Sequence, residues 1–202
     1  MSVREFTAVA EELEATASRG AMPVAKPYVV LLSGLPGTGK SALAQALRER
    51  MLIGSVESDA VRAALFPRPA FSPEESARVF DTCHAMIESL LRGKMAVIFD
   101  ATNLQERHRR DVRDMADRAG AAVAVVRVHA PPAVVRDRLQ QRSEADPSPH
   151  LADWSVYRRM RFTVDRIVTD HLRVDTRDGV EAVVGAVLDH IERILSNKER
   201  AP

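Results

Sequence analysis

The chain has 202 residues, 46% hydrophobic and 28% charged, with a formal net charge of +1. That is the composition of a globular domain with a real core, and so small a charge gives no broad electrostatic footprint for nucleic acid, though it leaves room for a local basic groove. The single cysteine, Cys83, excludes an internal disulfide, no stretch has the apolar length of a membrane span, and the acidic N-terminus does not read as a signal peptide, so the expected location is cytoplasmic.

In chain order, Val3, Phe6, Val9, Ala10 and Leu13 recur at helical spacing over residues 2–18. GAMPVAKP (20–27), broken by Pro23 and Pro27, reads as a linker. Residues 1–26 are thus a helix and linker ahead of a main domain at 27–202. YVVLLSG (28–34) is a continuous apolar run, as a strand buried on both faces of a parallel sheet requires. SALAQALRER (41–50) is helical, residues 52–57 form a short strand, and DAVRAAL (59–65) returns to helix. FPRPAFSP (66–73) is a loop. Ser72, Pro73, Glu74 and Glu75 then make a strong helix start, with a serine cap, proline in the first turn and early acids. That helix runs to about Leu91. KMAVIF (94–99) is a further buried-type strand, LQERHRRDVRDMADRAG (104–120) a polar-faced helix, and AAVAVVRVHA (121–130) a fourth strand. PPAVVRDRLQQR (131–142) opens on prolines as a helix can. SEADPSPHLAD (143–153) is a loop, WSVYRRMRFTVDRIV (154–168) is helical, HLRVDT (171–176) is a fifth strand, and residues 178–195 close as an amphipathic helix. Alternating strands and helices predict a layered α/β fold with a mostly parallel sheet.

GLPGTGKS (34–41) fits G-x-x-x-x-G-K-[ST] and stands where its mechanism needs it, after a buried strand and before a helix. Gly34, Leu35, Pro36, Gly37, Thr38 and Gly39 would wrap backbone N–H groups around phosphate oxygens, and Ala42 continues into a helix whose N-terminus favours anions. Lys40 would reach the β- and γ-phosphates and the Ser41 hydroxyl would ligate Mg²⁺. The chain is therefore expected to bind a nucleoside triphosphate. No Asn-Lys-x-Asp guanine signature is present, since Asn197-Lys198-Glu199-Arg200 lacks the aspartate. The third strand ends in Asp100, followed by Ala101 rather than a second acid, which argues against a power-stroke ATPase and leaves Asp100 beside Ser41 as a metal-side candidate.

A phosphotransferase needs a proton acceptor and cationic clamps. Asp59 closes the second strand, on the sheet edge where ligands bind in open α/β folds. It reads equally as a helix cap or as a base that takes the proton of an attacking hydroxyl. Arg62, three residues on, shares its helix face and could hold an anionic group of the acceptor. Arg138 and Arg142 lie four apart on one helix face, and with the following loop they suggest a lid over about 136–160. Arg107, Arg109 and Arg110, and Arg158, Arg159, Arg161 and Arg166, are basic clusters that usually mean solvated faces. Trp154 and Tyr157 could stack on a ring, but core packing is the commoner role.

Taken together, GLPGTGKS, SDAVR (58–62), VIFDATNLQERHRRDV (97–112), RVHAPPAVVRDRLQQR (127–142) and RVDT (173–176) resemble the P-loop kinases related to polynucleotide kinase, with zeta toxin and chloramphenicol phosphotransferase as more distant relatives. The likeness covers about residues 27–195. It implies a three-layer P-loop NTPase fold, a five-stranded parallel sheet in the order 2-3-1-4-5 and a helical lid. It further implies ATP and Mg²⁺ as cofactors, Asp59 as general base, Arg62 on a substrate phosphate, and Arg138 and Arg142 as the lid clamp. Asp100, Thr102 and Asn103 would stand on the acceptor side, and Asp175 and Thr176 near the adenine. The expected activity is transfer of the γ-phosphate to a hydroxyl. A polynucleotide 5′-hydroxyl is the leading acceptor; a nucleoside, sugar or antibiotic hydroxyl, or a non-catalytic ATP-binding role, are the alternatives.

Overall fold

The computed structural model describes residues 3–145 and 152–200. Five strands, β1 (Tyr28–Ser33), β2 (Gly54–Glu57), β3 (Val97–Asp100), β4 (Ala122–His129) and β5 (Leu172–Asp175), pair in parallel in the order β2-β3-β1-β4-β5. The helices are α1 (Val3–Ala17), α2 (Lys40–Arg48), α3 (Ser58–Leu65), α4 (Pro73–Arg92), α5 (Glu106–Arg118), α6 (Pro132–Ala145), α7 (Trp154–Met160) and α8 (Glu181–Arg200). The sheet order agrees with the expected one.

Strand alternation explains the layers. Successive side chains face opposite sides, so Val29, Leu31, Val97, Phe99 and Val125 pack one way, with Val79, Cys83 and Ile87 of α4 and Val112 and Met115 of α5. Val30, Leu32, Ile98, Ala124 and Val126 pack the other way, with Leu43 and Leu47 of α2 and Val184, Val187 and Ile191 of α8. Every residue of β1 is buried, as a central strand covered on both faces must be. Full burial of side chains such as Leu31 or Phe99 is worth about 1.5–3 kcal/mol each. No helix among the described residues is long and apolar enough to cross a membrane.

The α4 start forms as its residues dictate: the Ser72 hydroxyl accepts from the Glu75 N–H at 3.2 Å, with Pro73 in the first turn. Helix α1 packs on β2, α3 and α4, with Ala17 in the core. The linker after it bridges back to the body of the domain through Pro23 and Met95.

Two expectations need correction. β3 begins at Val97 rather than Lys94, because Lys94 takes a positive φ of 57° and Met95 is drawn into the bridge with Pro23. The helix expected over 154–168 stops at Met160. There the Thr163 N–H and hydroxyl both turn back to the Met160 carbonyl, and Asp165 is captured by the start of α5, its N–H donating to Leu104 O and its carboxylate accepting from Glu106 N–H. Those bonds replace the ones a continuing helix would need. Of the lid expected at 136–160, residues 146–151 lie outside the described residues.

Candidate active site

The turn after β1 is built by its glycines. Gly37 and Gly39 have φ of 76° and 89°, the left-handed region that side-chain-bearing residues disfavour. A Cβ on Gly34 would lie 2.5 Å from the Val128 carbonyl oxygen, and one on Gly37 only 2.8 Å from Leu139 Cγ. Missing side chains thus allow the loop to lie against β4 and α6, with the Gly34 N–H donating to the Thr102 carbonyl at 3.0 Å and the Thr38 N–H to that of Leu35 at 3.4 Å. Lys40 is the first residue of α2 and is 9% exposed; its ammonium donates to the Leu35 carbonyl at 3.1 Å, across the loop. The Thr38 hydroxyl donates to the same carbonyl at 2.8 Å.

The C-terminal ends of β2 and β3 bring carboxylates to this lysine. Glu57 and Asp100 are register partners across β2 and β3, so they share a sheet face, with Asp59 two residues beyond Glu57. Burial pushes the Asp100 carboxyl above its ordinary range, and the Lys40 charge and a hydrogen bond with Ser41 pull it back. Burial likewise lowers the Lys40 ammonium, opposed by Asp100 and Asp59. Glu57 is raised by burial first and by Asp100 second. Asp59 is exposed at the second position of α3; the residue before the helix is Glu57, and it makes no side-chain capping bond. The capping reading of Asp59 therefore finds no bond to rest on.

Arg62 is 8% exposed, its Nη2 donating to Ser76 Oγ at 3.4 Å and its Nη1 lying 3.6 Å from the Glu75 carboxylate. Nη1 completes no hydrogen bond among the described residues. The Phe71 ring covers the guanidinium at 4.9 Å. From α6, Arg138 donates to the Thr176 hydroxyl at 3.0 Å and to its carbonyl, and Arg142 donates to the Ala152 carbonyl. Lys40, Ser41, Asp59, Arg62, Asp100, Thr102, Arg138 and Arg142 all line one cavity of about 690 Å³, within the size range of small-ligand pockets.

Residues 29–167 match the AAA domain family AAA_33. The chain belongs to this family. The chain is similar in sequence to the L-seryl-tRNA(Sec) kinase of Methanococcus maripaludis, 25% identical over 177 residues that cover 84% of this chain and 67% of the relative. In structure it is similar to a gluconokinase from Sinorhizobium meliloti 1021, with a TM-score of 0.64 and 21% identity over 85% of this chain and 95% of that one. It is also similar to the Mycobacterium tuberculosis APS kinase in complex with AMPPNP and APS, with a TM-score of 0.62 and 21% identity over 85% of this chain and 99% of that one. At these identities the structural likenesses show the fold.

Some expected site residues stand back from the cavity. Asn103 is fully buried at a positive φ of 43°, and its amide donates to Leu32 O at 2.8 Å, fastening the loop after β3 to β1. Thr176 is fully buried and donates to the Thr38 carbonyl at 2.8 Å, tying the end of β5 to the phosphate loop. Asp175 is held in an ion pair with Arg177. Trp154 and Tyr157 stack on each other at 4.7 Å within a small cluster with Val135 and Leu139.

Other residues were not singled out by the sequence. Glu57, Phe71, Ser76, Phe80 and His108 all line the cavity. Arg109, one of a cluster expected to be solvated, is fully buried; it donates to the carbonyls of Asn103, Leu104, Asp165 and Arg166 and pairs with Glu106. An arginine at the third position after an early-turn glutamate carried the only local signal for that bridge.

Proposed function

We propose that this protein is an ATP-dependent kinase that transfers the γ-phosphate to the hydroxyl of a small acceptor. The observation that carries the reading is the convergence of Lys40, Ser41, Asp59, Asp100, Arg138 and Arg142 on one cavity. Kinase names among the relatives and structural neighbours support it.

In this reading the loop N–H groups and Lys40 hold the donor phosphates. Asp59 stands at the open end of β2, able to take the proton of the acceptor hydroxyl as its oxygen bonds to the γ-phosphorus. The bond from that phosphorus to the bridging oxygen breaks, and ADP leaves with the electron pair. Arg138 and Arg142 neutralise charge on the transferring group. Ser41 hydroxyl and Asp100 carboxylate form an all-oxygen donor pair suited to Mg²⁺, which would supply further neutralisation of the phosphates. The depressed Lys40 and raised Asp100 mark both groups as desolvated, where charge acts most strongly. A cavity of this volume, shared by phosphates and acceptor, suits a single alcohol-bearing unit. The polynucleotide 5′-hydroxyl is the second reading, favoured by Arg107 and Arg159 on the cavity wall.

The test is transfer from γ-labelled ATP to a panel of nucleosides, sugars, hydroxy amino acids and 5′-hydroxyl oligonucleotides. Transfer to at least one, lost in Lys40→Ala, is expected. ATP turnover that survives Lys40→Ala unchanged would refute the phosphate-site assignment.

A further inference from the structure

The acceptor end of the cavity has a chemical character of its own. Ser76 and Phe80 lie four residues apart on α4, Gln105 immediately precedes α5 and His108 is in its first turn; all four line the cavity. Phe80 and His108 stack with centroids 4.1 Å apart and planes 20° from parallel, while Phe99 and His84 meet the Phe80 ring edge-on at 6.0 and 6.1 Å. The imidazole is thus mounted on a braced aromatic platform. Leu104, Val156 and Met160 add apolar wall.

Phe71 supplies a second, independent sign. It is a bulky residue with φ 54° and 40% exposure at the same cavity. That conformation is strained for an aromatic residue, and such strain concentrates at ligand sites. Here it is enforced by Glu75, whose carboxylate accepts from the N–H groups of both Ala70 and Phe71. The same glutamate faces Arg62 beneath the ring.

Hydroxyls of a polyol that face the Phe71, Phe80, Leu104, Val156 and Met160 side chains would go without partners, at a cost for each. A flat ring would meet aromatic and apolar surface, with the polar groups near Asp59 and Arg62 left for its hydroxyl-bearing side. We infer that the acceptor is an alcohol carried on a planar ring, and that Phe71 and the Phe80–His108 stack select it. This rests on the kinase reading above and narrows its substrate class.

The probes are three ribosides that share one set of sugar hydroxyls: methyl β-D-riboside, phenyl β-D-riboside and uridine, with gluconate as the open-chain polyol. Their binding to the full chain is measured by calorimetry with saturating AMPPNP, so that rings cannot enter the donor side. Phenyl riboside, uridine or both bind at least about tenfold more tightly than methyl riboside, as base–aromatic stacking provides. Phe80→Leu and, separately, the more exposed Phe71→Leu each reduce that preference several-fold while AMPPNP affinity holds, and Phe71→Leu, which is outside the core, also leaves the melting temperature unchanged. Ring-bearing probes no tighter than methyl riboside, or gluconate tighter than all three, would overturn the inference. So would a ring preference that survives both substitutions. Failure of AMPPNP itself to bind would instead overturn the kinase reading on which it stands.

Discussion

Gly37→Ala tests how the phosphate loop and α6 are fitted together. At φ 76° the new residue sits in the left-handed region, a cost of about 1–2 kcal/mol for an L side chain. Its Cβ would lie 2.8 Å from Leu139 Cγ and 2.9 Å from Val135 Cγ1. Leu139 Cγ is a branch-point carbon and Val135 Cγ1 a methyl held directly on a stiff β-branch, both on buried side chains, so α6 itself must move; overpacking of this kind costs about 1–3 kcal/mol. The sum is roughly 2–5 kcal/mol, or a fall in Tm of about 5–15 °C for a domain of this size. Because α6 carries Arg138 and Arg142, any relief by displacement appears instead as weaker nucleotide binding. Differential scanning calorimetry and AMPPNP titration should together show a lowered Tm and at least tenfold weaker affinity. Gly185→Ala is the control: it sits inside α8 with nothing within 4 Å of its added Cβ, and should be neutral or stabilising by about 0.5–1 kcal/mol. A Gly37→Ala protein with unchanged Tm and unchanged affinity would refute the close-fit argument.

Asp59→Asn should retain AMPPNP binding and lose at least about a hundredfold in phosphoryl transfer, the usual scale of a general base; undiminished turnover would remove the base assignment. Thr176→Val deletes the hydroxyl that donates to Thr38 O and accepts from Arg138. It should cost about 1–3 kcal/mol of stability for the groups left unpaired and raise the KM for ATP more than it lowers kcat, and equal effects on both would argue against a role confined to the donor side. Cys83 is fully buried, with its thiol pushed up chiefly by burial, so a chromogenic disulfide reagent should label it only on denaturation; rapid labelling of native protein would contradict the packing of α4. His84, His108, His129 and His190 are all lowered, first by burial. The unfolded chain therefore takes up protons below about pH 6.5 that the fold refuses. The stability they contribute is whole above that pH and drains away as pH falls through their folded values. Comparing Tm from pH 7 to 5.5 in wild type and His190→Gln should show the shallower slope in the variant, and identical slopes would exclude His190 from that loss.

How far the sequence could be read depended on the range of the forces involved. The phosphate loop was legible because its glycines, lysine and serine are contiguous and act through local geometry. The start of α4 was legible for the same reason, since Ser72 bonds Glu75 three residues away. The sheet order came from family likeness and not from any residue. Arg109 was misread as solvated because its partners at Asp165 and Arg166 are more than fifty residues distant, and nothing nearby records them. The early end of α7 belongs to the same event, since Asp165 leaves the helical path to meet Leu104 and Glu106. Glu57 was passed over because its register with Asp100 across β2 and β3 exists only once the strands pair. Asn103 and Thr176 were placed beside ligands by analogy; the structure gives the Asn103 Nδ2 to the Leu32 carbonyl and the Thr176 hydroxyl to that of Thr38.

The Arg142 guanidinium is already satisfied by a main-chain carbonyl, that of Ala152, before the donor-clamping role proposed for it. Gripping a phosphate means exchanging a neutral acceptor for an anionic one, so the gain is only the difference between the two, on the order of 1 kcal/mol. In the proposed reaction the share of Arg142 in capturing the donor would then be shallow and reversible. When a product departed, the same carbonyl would be there to receive the guanidinium again, so a clamp built this way would reset without a bare cation being stranded between turnovers.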